Sequence, residues 1–145
     1  MNFWPERASA AAFIGASLEI LQQECRPAYR ELCVRLAGRS VRLKIEDETV
    51  TLAFTRESAR LEAAGEDEAG IRLTTGWDAV LDLVDGRLAF IDAVLTGRLD
   101  LCGEAGELAV FYTGLQTYLR GAVRSPSFRS LLDRLRLVHP AGARD

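Results

Sequence analysis

The chain has 145 residues, 48% hydrophobic and 27% charged, a balance that suits one globular domain over residues 1–145 with a core large enough to need no staples. A formal net charge of −3 excludes bulk attraction to nucleic acid. Three cysteines (Cys25, Cys33 and Cys102) and a single histidine (His139) exclude a disulfide framework and a zinc site, and point to reduced thiols in a cytoplasmic protein.

Near the start, "ASAAAFIGAS" is only weakly apolar and follows Glu6 and Arg7 rather than a basic cluster, so it reads as mature sequence and not as a signal peptide. No run approaches the ~18 apolar residues of a membrane span. From 11 to 36, Phe13, Ile14, Leu18, Leu21, Tyr29, Leu32 and Leu36 recur at helical spacing. Pro27 should kink or split this helix, and Gly38 should end it. Cys25 and Cys33 would then stand ~12 Å apart, beyond disulfide reach.

The period then changes to two. "SVRLKIED" sets Val41, Leu43 and Ile45 against Arg42, Lys44 and Glu46. "TVTLAFTRE" sets Val50, Leu52 and Phe54 against Thr49, Thr51, Ala53 and Thr55. "SARLEAAGEDE" sets Ala59, Leu61 and Ala63 against Ser58, Arg60 and Glu62, and "GIRLTT" sets Ile71 and Leu73 against Arg72 and Thr74. Such alternation gives each strand one dry and one wet face, and the short loops suggest a meander with the acidic "GEDEAG" as an exposed turn.

A sheet with one dry face needs a cover. Thr75 can cap a helix over 76–84 that carries Trp77, Val80, Leu81 and Val84 on one face and Asp78, Asp82 and Asp85 on a solvated one. Asp85-Gly86 breaks it, and a second short helix follows with Leu88, Ile91, Val94 and Leu95 up to Gly97. Leu99 and Leu101 then alternate with Arg98, Asp100 and Cys102, so this late piece joins the same sheet as a further strand. Beyond Gly103 a long helix over 104–123 carries a stripe of Leu108, Phe111, Leu115, Leu119 and Ala122, with Tyr112 and Tyr118 beside it. Ser125-Pro126 interrupts, and Phe128, Leu131, Leu132 and Leu135 mark a last amphipathic helix with Arg129, Arg134 and Arg136 on its charged face. That helix reads either as ordinary C-terminal packing or as a hinged lid over a cavity mouth that touches anionic lipid. The tail at about 138–145 reads as disordered.

Catalysis has little to work with. His139 lies in the tail, so no Ser-His-Asp or Cys-His arrangement is available. "GEAG" lacks the lysine of a phosphate cradle and reads as a strand-to-helix turn. No ligand set suggests a metal, and no cofactor is implied.

The segment "LTTGWDAVLDLVDGRLAFIDAVLTGRLDLCGEAGELAVF" resembles the C-terminal half of the sterol carrier protein type 2 family. The matching steps are Gly86-Arg87-Leu88, Ala89-Phe90, and Gly97-Arg98-Leu99-Asp100-Leu101-Cys102-Gly103, and the helix-then-strands order before them agrees over about 11–124. The resemblance implies an α+β fold: a five-stranded mixed sheet with helices on one face, enclosing an apolar tunnel. It also implies non-enzymatic binding of sterols, fatty acyl chains, acyl-coenzyme A or phospholipids. Stand-alone bacterial members include carriers that assist quinone synthesis, and the same fold is appended to some hydrolases and acetyltransferases. One departure is Asp100, where members often carry a basic residue.

The expectation is therefore a carrier of a lipid, fatty acyl, sterol-like or isoprenoid molecule, with transient membrane contact and a partner enzyme or second copy as further partners. The competing reading is an accessory module with a filled core that supports a partner enzyme; a tunnel of several hundred Å3 would favour the carrier. The expected floor is Leu43, Ile45, Leu52, Phe54, Ile71, Leu73, Leu99 and Leu101. The expected walls and roof are Trp77, Leu81, Ile91, Leu95, Leu108, Phe111, Tyr112 and Leu115.

Overall fold

The computed structural model describes residues 9–62 and 69–138. Ala63, most of the acidic turn, His139 and the rest of the tail lie outside the described residues. The chain order is α1 (Ala10–Glu24), α2 (Arg26–Leu36), β1 (Ser40–Ile45), β2 (Glu48–Phe54), β3 (Ala59–Glu62), β4 (Ile71–Thr75), α3 (Trp77–Val84), α4 (Phe90–Leu95), β5 (Leu99–Gly103), α5 (Ala105–Arg124) and α6 (Pro126–Val138).

Pro27 splits the first helical region as the periodicity predicts. It sits in the first turn of α2, where a missing N–H removes no intrahelical bond. Gly38 follows α2 at φ +80°, a conformation open to glycine without a Cβ penalty.

The five strands form one mixed sheet in the order β3-β2-β1-β4-β5. The dry faces fall in register: Val41 lies opposite Leu52 and Ile71, and Leu43 opposite Val50 and Leu73. On the far side Leu73 faces Leu101 and Thr75 faces Leu99. Lys44, Arg60, Arg72 and Asp100 are exposed on the opposite face.

The meander holds for β1–β3 and then stops. β4 does not pair with β3 but lies parallel to β1 on its other side. Alternation specifies which face a strand buries and says nothing about its neighbour. The observed order places Ile71 and Leu73, both buried, inside the sheet. It leaves β3, with Arg60, Leu61 and Glu62 exposed, on an edge, where charge protects a strand from pairing with another chain.

The β1–β2 turn fastens two helices. Glu46, at φ 59°, accepts the Trp77 N–H on Oε2 at 3.1 Å and so caps α3. Glu48 Oε1 accepts the Ala10 N–H at 2.7 Å, and Ser9 Oγ accepts the Ala12 N–H at 3.0 Å, so α1 is capped twice. Carboxylates suit helix N-termini because unpaired N–H groups and the helix dipole both favour negative charge. Thr75 is therefore not the cap of α3: Gly76 holds that position, and Thr75 Oγ1 donates to Arg98 O at 2.9 Å.

Asp78 and Asp82 are not a freely solvated face either. Both pair with Arg98, at 3.4 and 2.8 Å, and clamp α3 to the start of β5. Asp85 pairs with Arg87 and with Arg136 of α6.

The helices cover the dry face. α5 lies close against α2: a Cβ built at Gly114 would meet the Leu36 side chain at 3.0 Å, and one at Gly121 would meet Ala28 Cβ at 2.7 Å. α6 packs on α1, with Phe128, Leu131, Leu132 and Leu135 all buried. Phe128 meets Phe13 and Tyr118 edge-on, with ring centroids 6.4 and 6.0 Å away. Ser127 donates from N to Glu24 Oε1 at 2.9 Å and from Oγ to Glu24 Oε2, which ties the start of α6 to the end of α1. Of the two readings of this helix, the structure shows core packing.

Candidate lipid site

Between the dry face and the helices lies an apolar cavity of about 130 Å3. Its floor is formed by Val41, Leu43 and Ile45 of β1, Leu52 and Phe54 of β2, Leu73 and Thr75 of β4, and Leu99 of β5. Its walls come from Phe13, Ile14 and Leu18 of α1, Leu32 and Leu36 of α2, and Val80, Leu83 and Val84 of α3. Phe111, Leu115, Tyr118 and Leu119 of α5 close it. Thr75 and Tyr118 are the lining residues with polar side chains, neither carries a charge, and the surface that faces the cavity is almost wholly apolar.

The expected tunnel of several hundred Å3 is not what the structure contains. A void of 130 Å3 is close to the ~150 Å3 apolar cavity that stays dry and admits a benzene-sized guest.

Of the residues expected from the sequence, Leu43, Ile45, Leu52, Phe54, Leu73, Leu99, Phe111 and Leu115 come together at this cavity. Ile71, Trp77 and Leu81 are fully packed in the core beside it; the Trp77 ring stands edge-on to Phe13 at 5.9 Å. Leu101 and Leu108 are half-buried near the edge strand β5 and do not reach it. Ile91 and Leu95 point outward, 51% and 77% exposed. α4 has six residues, too few to bury two faces, and it buries Phe90 and Ala93. Phe90 wins because its ring packs on Phe111 and Tyr112, with centroids 6.1 and 5.6 Å away.

Tyr112 and Ile91 line a neighbouring surface groove of about 360 Å3 instead. Leu83, Val84 and Leu119 belong to both linings, so these three side chains form the partition between cavity and groove. The contributions of α1 and α2 were missed by sequence reasoning. Their signal was present in the Phe13, Ile14, Leu18, Leu32 and Leu36 stripe, but a stripe alone does not say which side chains abut a void.

Two buried polar groups next to the site are perturbed. Burial pushes the Tyr118 hydroxyl up to about 12, and a hydrogen bond with Ser17 offsets only part of that shift. Burial likewise raises the Cys33 thiol, which keeps it protonated and unreactive. Cys25, Cys33 and Cys102 are all free. Among the described residues, no group of three or more His, Cys, Asp and Glu is placed to hold a metal ion, and no helix is long and apolar enough to cross a membrane.

The model of the SCP-2 sterol transfer family matches residues 18–113, well over half of the chain. The chain belongs to this family. Membership carries lipid or sterol binding and transfer as the general function. The fold is also that of solved relatives. A conserved hypothetical protein from Thermus thermophilus is 19% identical, with 88% of this chain and 92% of that one covered at a TM-score of 0.57. The sterol carrier protein domain 2 of Helicoverpa armigera is 13% identical, with 79% and 95% covered at 0.58. A UbiJ-SCP2 ubiquinone synthesis protein is 16% identical, with 73% and 94% covered at 0.56. A comparison with curated proteins finds no match.

Proposed function

We propose that this SCP-2 family member binds and carries a hydrophobic small molecule in the cytoplasm without catalysing a reaction on it. The observation that carries the reading is the unfilled apolar cavity between sheet and helices. The cavity is smaller than the ~300–1,000 Å3 of typical ligand pockets, so a lipid, fatty acyl, sterol-like or isoprenoid guest has to widen it. The geometry offers a route: rotating Leu83, Val84 and Leu119 joins the cavity to the groove lined by Phe90, Ile91, Tyr112 and Val123. A ligand lying across both would touch Leu43, Leu52, Leu73, Phe111 and Leu115 inside and Ile91 and Tyr112 outside. Leu95, on the same short helix, and the exposed Val123 would meet the membrane or partner that delivers it.

Native mass spectrometry of the purified protein tests this. The expected result is an adduct that organic solvent extracts and that proves to be an apolar molecule. A bare chain that also takes up no added lipid would overturn it.

A second reading, an accessory module that supports a partner enzyme, draws on Ile91, Leu95 and Val123, which are large and exposed on adjoining surface. The UbiJ-SCP2 relative is described as a ubiquinone synthesis protein, which favours a biosynthetic enzyme as that partner. Co-purification with such an enzyme, in the absence of any bound lipid, would support this reading over the first.

A further inference from the structure

A second groove, of about 890 Å3, runs between the α3–α4 turn, the end of α5 and α6. Its charged lining is Asp85, Arg87, Arg124, Arg129, Asp133 and Arg136. Both aspartates are engaged: Asp85 pairs with Arg87 and Arg136, and Asp133 pairs with Arg136. Arg124 and Arg129 are exposed and form no ion pair among the described residues. The α5–α6 elbow between them is fixed, because Ser125 Oγ donates to Gly121 O at 2.8 Å and Ser127 N to Glu24 Oε1 at 2.9 Å. Unpaired arginines are ordinary on a protein surface, but these two stand at the end of a row of adjoining spaces. Val84, Asp85 and Val123 line both this groove and the one that holds Ile91 and Tyr112. Leu83, Val84 and Leu119 in turn separate that groove from the cavity. The row passes from an uncharged apolar interior to a cationic end.

The geometry points to the Arg124 and Arg129 end of this row as the head-group site of an anionic amphiphile, a lipid with a carboxylate or phosphate head. Its apolar chain lies along the groove of Ile91 and Tyr112 and passes the Leu83, Val84 and Leu119 partition into the cavity. This rests on the reading of the cavity as a lipid site and names the class of head group. Planar guanidinium groups suit such oxyanions, which they can meet with two parallel hydrogen bonds. The head cannot follow the chain inward, because the cavity lining holds no charged residue and a buried charge without a partner is strongly penalised. Arg124 and Arg129 lie beyond the residues 18–113 that the family model matches, so the family pattern does not include this site.

The test is a titration of the full chain, of Arg124→Gln/Arg129→Gln, and of Arg30→Gln, which removes an exposed arginine of α2 that does not line the groove. The probes are decanoate, decanol and acetate at pH 8, followed by NMR chemical shifts. The unaltered chain is expected to bind decanoate more tightly than decanol. The double substitution should weaken decanoate by about tenfold, the worth of two exposed ionic contacts, and added salt should do the same. Decanol binding should be unchanged in every variant, which also controls for folding, and Arg30→Gln should change nothing. Equal decanoate affinity with and without the two arginines, with decanol still bound, would overturn the head-group site and leave the cavity reading standing. Displacement of decanoate by equimolar acetate would show a site for free anions and overturn the amphiphile. Vesicles of phosphatidylglycerol provide a further arm: loss of vesicle binding in the double variant with decanoate affinity intact would assign the arginines to a membrane surface and overturn the single-lipid site. No binding of decanoate or decanol by the unaltered chain would overturn the cavity reading as well.

Discussion

At the scale of single residues, polar side chains fasten this fold at several separate points. Glu46 and Glu48 reach from one hairpin turn to the N-termini of α3 and α1. Arg98 joins Asp78 and Asp82, and this pairing raises its proton affinity, chiefly through the hydrogen bond to Asp82. Tyr29 accepts the Ala59 N–H at 3.0 Å and holds the edge strand. Tyr118 carries its hydroxyl shielded from solvent, beside Ser17 of α1. Its raised titration has a consequence for stability at high pH. The folded value, about 12, lies above the ordinary 10.0, so the contribution is complete below pH 10 and is lost as pH rises from 10 through 12. The loss is at most ~2–3 kcal/mol across that window. Tyr118→Phe removes it, while the Tyr29 titration, also raised by burial, persists in both proteins. Urea denaturation at pH 9 and pH 11.5 should therefore show the substituted protein losing less stability between the two. Equal losses would mean that water reaches the phenol.

At the scale of elements, α6 is the part whose role the structure changes. A lid must leave its site at low cost, yet Phe128, Leu131, Leu132 and Leu135 are buried and Phe128 joins the Phe13–Trp77 cluster. Burial of four such side chains is worth ~6–12 kcal/mol, against a typical domain stability of ~5–15 kcal/mol. Ending the chain after Arg124 is expected to abolish cooperative unfolding in a thermal melt and to give insoluble protein. A truncated chain that stays soluble and melts cooperatively would restore the lid. The partition made by Leu83, Val84 and Leu119 is the better candidate for the moving part, because rotating three aliphatic side chains breaks no hydrogen bond.

At the scale of the whole molecule, stability and binding are opposed. The domain keeps apolar space between sheet and helices that a larger side chain could fill. Leu115 sits half-buried in the cavity roof. Leu115→Phe is expected to raise the melting temperature by a few degrees, about 1 kcal/mol of stability, and to weaken uptake of apolar ligands by at least tenfold. A variant that gains stability and binds as before would show that ligands dock elsewhere.

Much of this organisation was legible in the chain. Period-two alternation from Val41 to Leu101 marked all five strands and the face each one buries, because a strand's side chains have no third direction. Pro27 and Gly38 marked breaks through their own covalent geometry. The motif steps from Gly86 to Gly103 carried the family.

What the alternation could not carry was adjacency. β4 lies beside β1 rather than β3 because the buried Ile71 and Leu73 stabilise an inner position, and that advantage exists only once both candidate neighbours are in place. The same limit applies to α4, where Ile91 and Leu95 looked equivalent to Phe90 until the Phe111 and Tyr112 rings selected one face. It applies most to the cavity. A void is a property of the space between side chains from several helices and strands, and no local pattern records a contact that is not made. Periodicity determined which residues face inward; only their packing in three dimensions decided which of them meet one another and which meet empty space.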